Sequence, residues 1–234
     1  GEFKAHKRLI LGQHVVPGRW LLQGGTVGGG SLRWFLREFG AQEKADRPEN
    51  PFRRMDEEAA RIPPGADGLI FLPYLAGERS PIWNPDAKGV YFGIDYSKTR
   101  AHFIRATLEG VAFSLYHNLL TAREAGAAVT KMNAVGGAAN SRLWTQIKAD
   151  VTGKTIQVPS SDTATTLGAA ILAGVGTGVY AGFEDAVAKT VRIRRVHTPD
   201  AAAHRRYEPI FREYRELYER LKGLMENREE ETAP

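Results

Sequence analysis

The chain has 234 residues, of which 42% are hydrophobic and 25% charged, with a formal net charge of +5 and no cysteine. Disulfides and thiolate metal sites are thereby excluded, while the apolar content suffices for the core of one large domain or two small ones. Lys and Arg are interspersed with Asp and Glu, so the mild positive excess demands no nucleic-acid partner, and no apolar run approaches the roughly 20 residues of a membrane span.

In chain order, LILGQHVVPGRWLLQGG carries two apolar runs split by Pro17-Gly18, which reads as a β-hairpin. Three glycines, Gly28 to Gly30, then lead into a helix with Ser31 as its N-cap, Leu32, Phe35, Leu36 and Phe39 on one face, and Gly40 as its stop. The segment from Ala41 to Pro64 is charged and contains a short helix ended by Pro63-Pro64. A strand over Leu69 to Leu72 runs into a loop bearing Glu78, Arg79, Trp83 and Asn84, and a second apolar run, Val90 to Ile94, follows.

Apolar residues spaced by three and four predict a long helix from Ala101 to Gly126. Met132 to Val135 reads as a short strand, Gly136-Gly137 as a turn, and Ser141 to Ala149 as a helix. Thr155 to Val158 is expected as another strand, and DTATTLGAAILAGVGTG as a helix rich in Ala and Gly. The last helix, from about His204 to Met225, repeats Tyr207, Ile210, Phe211, Tyr214, Leu217, Tyr218 and Leu221 on one face and calls for a partner surface. Three segments are expected: a domain over 1–203, this amphipathic helix over 204–225, and a disordered tail over 226–234. The start at Gly1-Glu2-Phe3, without a methionine, suggests a fragment of something longer, and neither a signal peptide nor cysteine usage argues against a reducing cytoplasm.

The chemistry concentrates in the glycine turns. A strand that ends in Gly-Gly and passes into a helix presents unshielded backbone N–H groups and the positive end of the helix dipole. Gly136 and Gly137 can therefore accept a nucleotide's base, ribose or phosphate at van der Waals distance, with Asn140 and Ser141 supplying short polar side chains. Equally, the glycines can serve only a tight turn and Asn140 or Ser141 only a helix cap. Gly28-Gly29-Gly30 repeats the arrangement at a second place.

The order GRWLLQGGTVGGGSLRWF, GLIFLPYLAGERSPIWNPDAKGVYFGI, HFIRATLEGVAF, GGAANSRLWTQIKADVTGKTIQVP and TATTLGAAILAGVGTGVY resembles the C-terminal domain of the FGGY carbohydrate kinases, and among them the xylulokinase-like members, from about Gly12 to Val196. The resemblance implies an actin-like ATPase fold of the ribonuclease-H-like α/β class. It also implies a second, N-terminal domain, with ATP and a sugar, such as the ketopentose D-xylulose, held in the cleft between the two and Mg²⁺ assisting transfer of the γ-phosphoryl group. Carried over by position, the family's adenosine contacts fall on Gly136, Gly137, Asn140 and Ser141, and those toward the phosphates on Gly29 and Arg33. Some relatives carry an amide where Arg33 stands, so a solvated helix-face arginine is the alternative there. Thr163, Thr165 and Gly168 either shape the nucleotide pocket or allow close helix packing.

Glu78 and Arg79 in the GERSP loop either face the cleft or form a structural pair, Trp83, Asn84, Pro85 and Gly89 fix the path of that loop, and Glu109 is expected to make buried hydrogen bonds. The family's catalytic aspartate and its phosphate turn lie in the N-terminal domain. None of Asp67, Asp86, Asp95 or Asp162 sits in that context, so no catalytic residue is assigned, and the chain alone is expected to bind nucleotide weakly and transfer no phosphate. The family's first strand ahead of the hairpin is not found, which leaves an exposed sheet edge. A homodimer is expected from family habit alone. Two other classes remain in view: a non-catalytic actin-like nucleotide-binding or interaction module, and nucleic-acid binding through RIRRV at 192–196, which no aromatic platform or reading helix supports.

Overall fold

The computed structural model describes residues 7–25, 28–41, 50–161 and 163–226. Of the tail expected to be disordered over 226–234, Glu226 instead ends the last helix, and 227–234, Asp162 and part of the charged segment after Ala41 lie outside those residues.

Strands β1 (Ile10–Gln13) and β2 (Trp20–Gln23) form the antiparallel hairpin, closed at Pro17-Gly18 with Gly18 at φ +75°. Helix α1 (Gly28–Phe39) follows, and α2 (Pro51–Ala59) starts on the proline that fits a first helical turn. Strands β3 (Ile70–Pro73) and β4 (Gly89–Phe92) make a second antiparallel pair flanking the GERSP loop. Helix α3 (Arg100–Glu124) is the spine of the molecule, with fourteen of its residues buried. Then come β5 (Lys131–Asn133), α4 (Arg142–Thr152), β6 (Thr155–Pro159), α5 (Ala164–Gly176), α6 (Phe183–Thr190), β7 (Ile193–His197) and α7 (Ala201–Glu226). β5 and β6 run parallel and β7 joins β6 antiparallel.

The apolar faces read from the sequence meet in one cluster, where Leu32, Phe35 and Leu36 of α1, Leu108 and Phe113 of α3, Trp144 and Ile147 of α4 and Tyr207, Phe211 and Tyr214 of α7 lie together. The partner surface that the aromatic stripe of α7 calls for is this same core. Phe113 stands 5.4–6.0 Å from Tyr207, Phe211 and Tyr214 in tilted and edge-on geometry, which suits aromatic quadrupoles.

One expectation is corrected. Ser31 is not an N-cap: α1 begins at Gly28, so the glycines form its first turn and Ser31 is buried behind them. RIRRV supplies most of β7, and α6 before it was not anticipated because its eight residues fill only two helical turns. Among the described residues β1 pairs only with β2, so the hairpin forms a sheet of its own beside β5–β6–β7.

Candidate functional site

After β5 the chain makes the turn Gly136-Gly137. Gly136 sits at φ +80°, where a Cβ is strained, and a single 3₁₀ turn over Gly137–Asn140 follows. Ser141 caps α4, its Oγ accepting from the Trp144 N–H at 2.9 Å, so of the two functions offered for it the capping role is present. A Cβ built on Gly136 or Gly137 would meet nothing within 4 Å. The missing side chains are therefore not demanded by close packing inside the chain, and the space above the turn is open.

At the second glycine element Gly29 and Arg33 are exposed on α1, and a Cβ on Gly29 would also meet nothing. The first-turn N–H groups of a helix have no intrahelical partners, so glycines there leave them accessible. The two elements share a mount on α3. Gly28 approaches Val111, whose Cγ1 would lie 3.1 Å from a Cβ, and the indole N–H of Trp144 donates to the Leu108 carbonyl at 2.9 Å. The structure thus seats the first residue of α1 and Trp144 of α4 against one turn of a single buried helix.

Sequence reasoning missed the arginines beside the 136–141 turn. Arg194 of β7 donates to Asn140 Oδ1 at 2.6 Å, and Arg195 donates to the Ala139 carbonyl and, at 2.7 Å, to His197 Nε2. His197 Nδ1 lies 2.9 Å from Gln146 Oε1, so the neutral tautomer with its proton on Nδ1 satisfies both contacts. Burial first, then Arg195 and Arg142, hold the His197 pKa below its ordinary value, which keeps that form. With Arg142 opening α4 and Arg194 and Arg195 bonded to Asn140 and Ala139, three arginines border the turn and favour an anion, and burial, then Arg142 and Arg194, lower the Arg195 pKa. The adjacent pair Arg194-Arg195 in RIRRV was the available signal, but on a regular strand the two would point to opposite faces, and the register shift opposite Val158 and Pro159 accompanies their reaching the same turn.

The remaining expected residues disperse. Thr163 and Thr165 are exposed near the start of α5, while Gly168 lines a cleft of about 900 Å³ between the hairpin loop and α5–α6, together with Val15, Ile171, Leu172 and Phe183. None of Gly29, Arg33, Gly136, Gly137, Asn140 or Ser141 borders that cleft.

Glu78 turns inward, accepting from the Arg79 N–H at 2.9 Å and from Ser114 Oγ at 3.3 Å, whereas the Arg79 side chain is exposed. Asn84 ties the same loop to α7 by donating to Tyr218 Oη and Glu226, both at 3.0 Å. Glu109 is buried as expected, one carboxylate oxygen taking the Gly65 N–H at 3.0 Å, Arg105 Nε at 2.6 Å and the Tyr207 hydroxyl at 2.7 Å. Asp67 faces His102 at 3.2 Å and Asp95 is held by Ser97 and Lys98. Among the described residues no three His, Asp or Glu side chains gather as a metal cluster, and no helix is long and apolar enough to cross a membrane.

A glycine turn between a parallel strand and a helix, backed by a buried central helix, belongs to an α/β domain. The family model "FGGY family of carbohydrate kinases, C-terminal domain" matches residues 7–177, and the chain belongs to that family, whose fold is the actin-like, ribonuclease-H-like one. It is 40% identical over 200 residues to the gluconokinase of Bacillus subtilis, covering 82% of this chain and 39% of that protein. To a xylulose kinase of Staphylococcus epidermidis it is 34% identical over 217 residues, covering 92% and 42%. The crystal structure of xylulose kinase from Rhodospirillum rubrum superposes with a TM-score of 0.83 at 33% identity, over 94% of this chain and 44% of that one. The chain thus spans about two fifths of the length of these relatives.

Proposed function

We propose that this chain supplies the ATP-binding half of a carbohydrate kinase that transfers the γ-phosphoryl group of ATP to a sugar hydroxyl. The observation that carries the reading is the open, Cβ-free space above Gly136 and Gly137 at the start of α4. Gly136, Gly137 and Asn140 would meet the adenosine end, with Ser141 fixing the start of the helix beneath it. Gly29 and Arg33 of α1 would meet the phosphates with their Mg²⁺. Bound there, ATP supplies the phosphoryl group; this chain's part is to orient it, while the carboxylate base comes from the portion of the relatives that the chain does not span. The sugar read from overall likeness is a ketopentose such as D-xylulose. The 40% identity to a gluconokinase supports gluconate as a second reading.

The test is calorimetric titration with ADP and Mg²⁺ of this chain and of Gly137→Val. Gly137 lacks the positive φ of Gly136 and has room for a side chain, so the variant is expected to fold and to lose binding. Unchanged ADP affinity in a folded Gly137→Val would sink the reading. A coupled assay with D-xylulose and with gluconate is expected to show no sugar-dependent ADP formation by this chain alone.

A further inference from the structure

The Arg194 to Asn140 contact fixes a polarity. A guanidinium carries only donors, so the end of the Asn140 amide that faces Arg194 at 2.6 Å is the carbonyl oxygen, and the alternative flip is chemically excluded. The amide NH₂ must then turn away from Arg194. Arg194 is the residue that the β6–β7 pairing skips, since Val158 pairs with Arg195 and Pro159 with Ile193, and this irregularity frees it to turn toward Asn140 while Arg195 grips the Ala139 carbonyl next door.

We infer that Arg194 is a positioning residue for the nucleotide: by engaging the Asn140 carbonyl it turns the Asn140 amide NH₂ toward the nucleotide as the donor. This rests on the reading of the 136–141 turn as the nucleoside site. The nucleoside atom that Asn140 meets is accordingly an acceptor, a ring nitrogen or a ribose oxygen, and not an exocyclic amino group. At this contact the site does not select adenine by its 6-amino group.

The experiment is calorimetry with ADP and Mg²⁺ on the chain, Arg194→Ala, Asn140→Ala, the double variant and Arg194→Glu, with thermal melting to confirm folding. Arg194→Ala is expected to weaken binding about fivefold, the worth of one net hydrogen bond, and to have no further effect once Asn140 is Ala. Arg194→Glu should weaken it more than Arg194→Ala, because a carboxylate accepts the amide N–H and turns the carbonyl outward. Replacing ADP with inosine diphosphate should leave the effect of Asn140→Ala unchanged. If Arg194→Ala has no effect, or weakens binding equally with and without Asn140, Arg194 acts by charge or not at all and the inference is overturned while the site stands. If neither Asn140→Ala nor Gly137→Val alters ADP affinity, or the unsubstituted chain binds none, the site itself is refuted and the inference falls with it.

Discussion

Glu109 and Arg105 show how a charge survives in a core. Both are buried, and burial pushes the Glu109 carboxyl up while Arg105 beside it pulls it back, with the Gly65 N–H and the Tyr207 hydroxyl filling the same oxygen. Removing one partner strands the other charge, so Glu109→Ala is expected to cost about 3–5 kcal/mol in urea unfolding, and Tyr207→Phe, which removes a hydroxyl but no charge, only about 2 kcal/mol. His117 sets an acid limit. Burial, with Arg215 and Arg8 facing it, lowers its pKa to about 4. The unfolded chain, titrating near 6.5, then binds more protons than the folded one between those values. Stability present above pH 6.5 is lost as pH falls toward 4, by at most about 3 kcal/mol, and His117→Gln should flatten that window in unfolding measured against pH. At this scale the sequence was informative where a residue's meaning is local: Gly136, Gly137 and Ser141 are legible as a turn and a cap, and Glu109 as a buried acceptor. Arg194 was not, because its partner lies 54 positions away and only the pairing of β7 with β6 brings it there.

Among the elements, helices with strong periodicity were read to within a few residues, as for α3 and α7, since a buried face repeats at 3.6 whatever it packs against. Where glycines open a helix, the N-cap rule pointed to Ser31, but tertiary burial of Ser31 moved the start back to Gly28. Close approach of α3 to β3 depends on Gly110, where a Cβ would overlap the Phe71 carbonyl oxygen, a backbone atom that cannot swing away. Gly110→Ala is therefore expected to destabilise by about 1–3 kcal/mol in spite of the better helix propensity of alanine, as read by denaturant midpoint. Gly137→Ala, with open space around it, should leave the midpoint within about 0.5 kcal/mol.

Across the whole molecule, order is unevenly distributed. The core is gathered on α3, α4 and α7, whereas Ile10, Leu11 and Trp20 of the hairpin are more than 40% exposed and α5 buries only Ile171. Amide exchange should accordingly be slowest in α3 and α4 and fastest in β1, β2 and α5, and equal protection across these elements would contradict that distribution. The three small sheets among the described residues could not be read from local pattern, because alternation identifies a strand but not its neighbours. The shared mount on α3 has a metrical consequence. A helix rises 1.5 Å and rotates by about 100° per residue, so the three steps from Leu108 to Val111 separate the seats of α4 and α1 by roughly 4.5 Å along its axis. That helix works as a ruler, and the outlying strands can loosen without altering its graduations. One residue inserted between Leu108 and Val111 would swing one seat about a quarter turn round the helix, parting the two glycine elements while leaving each intact.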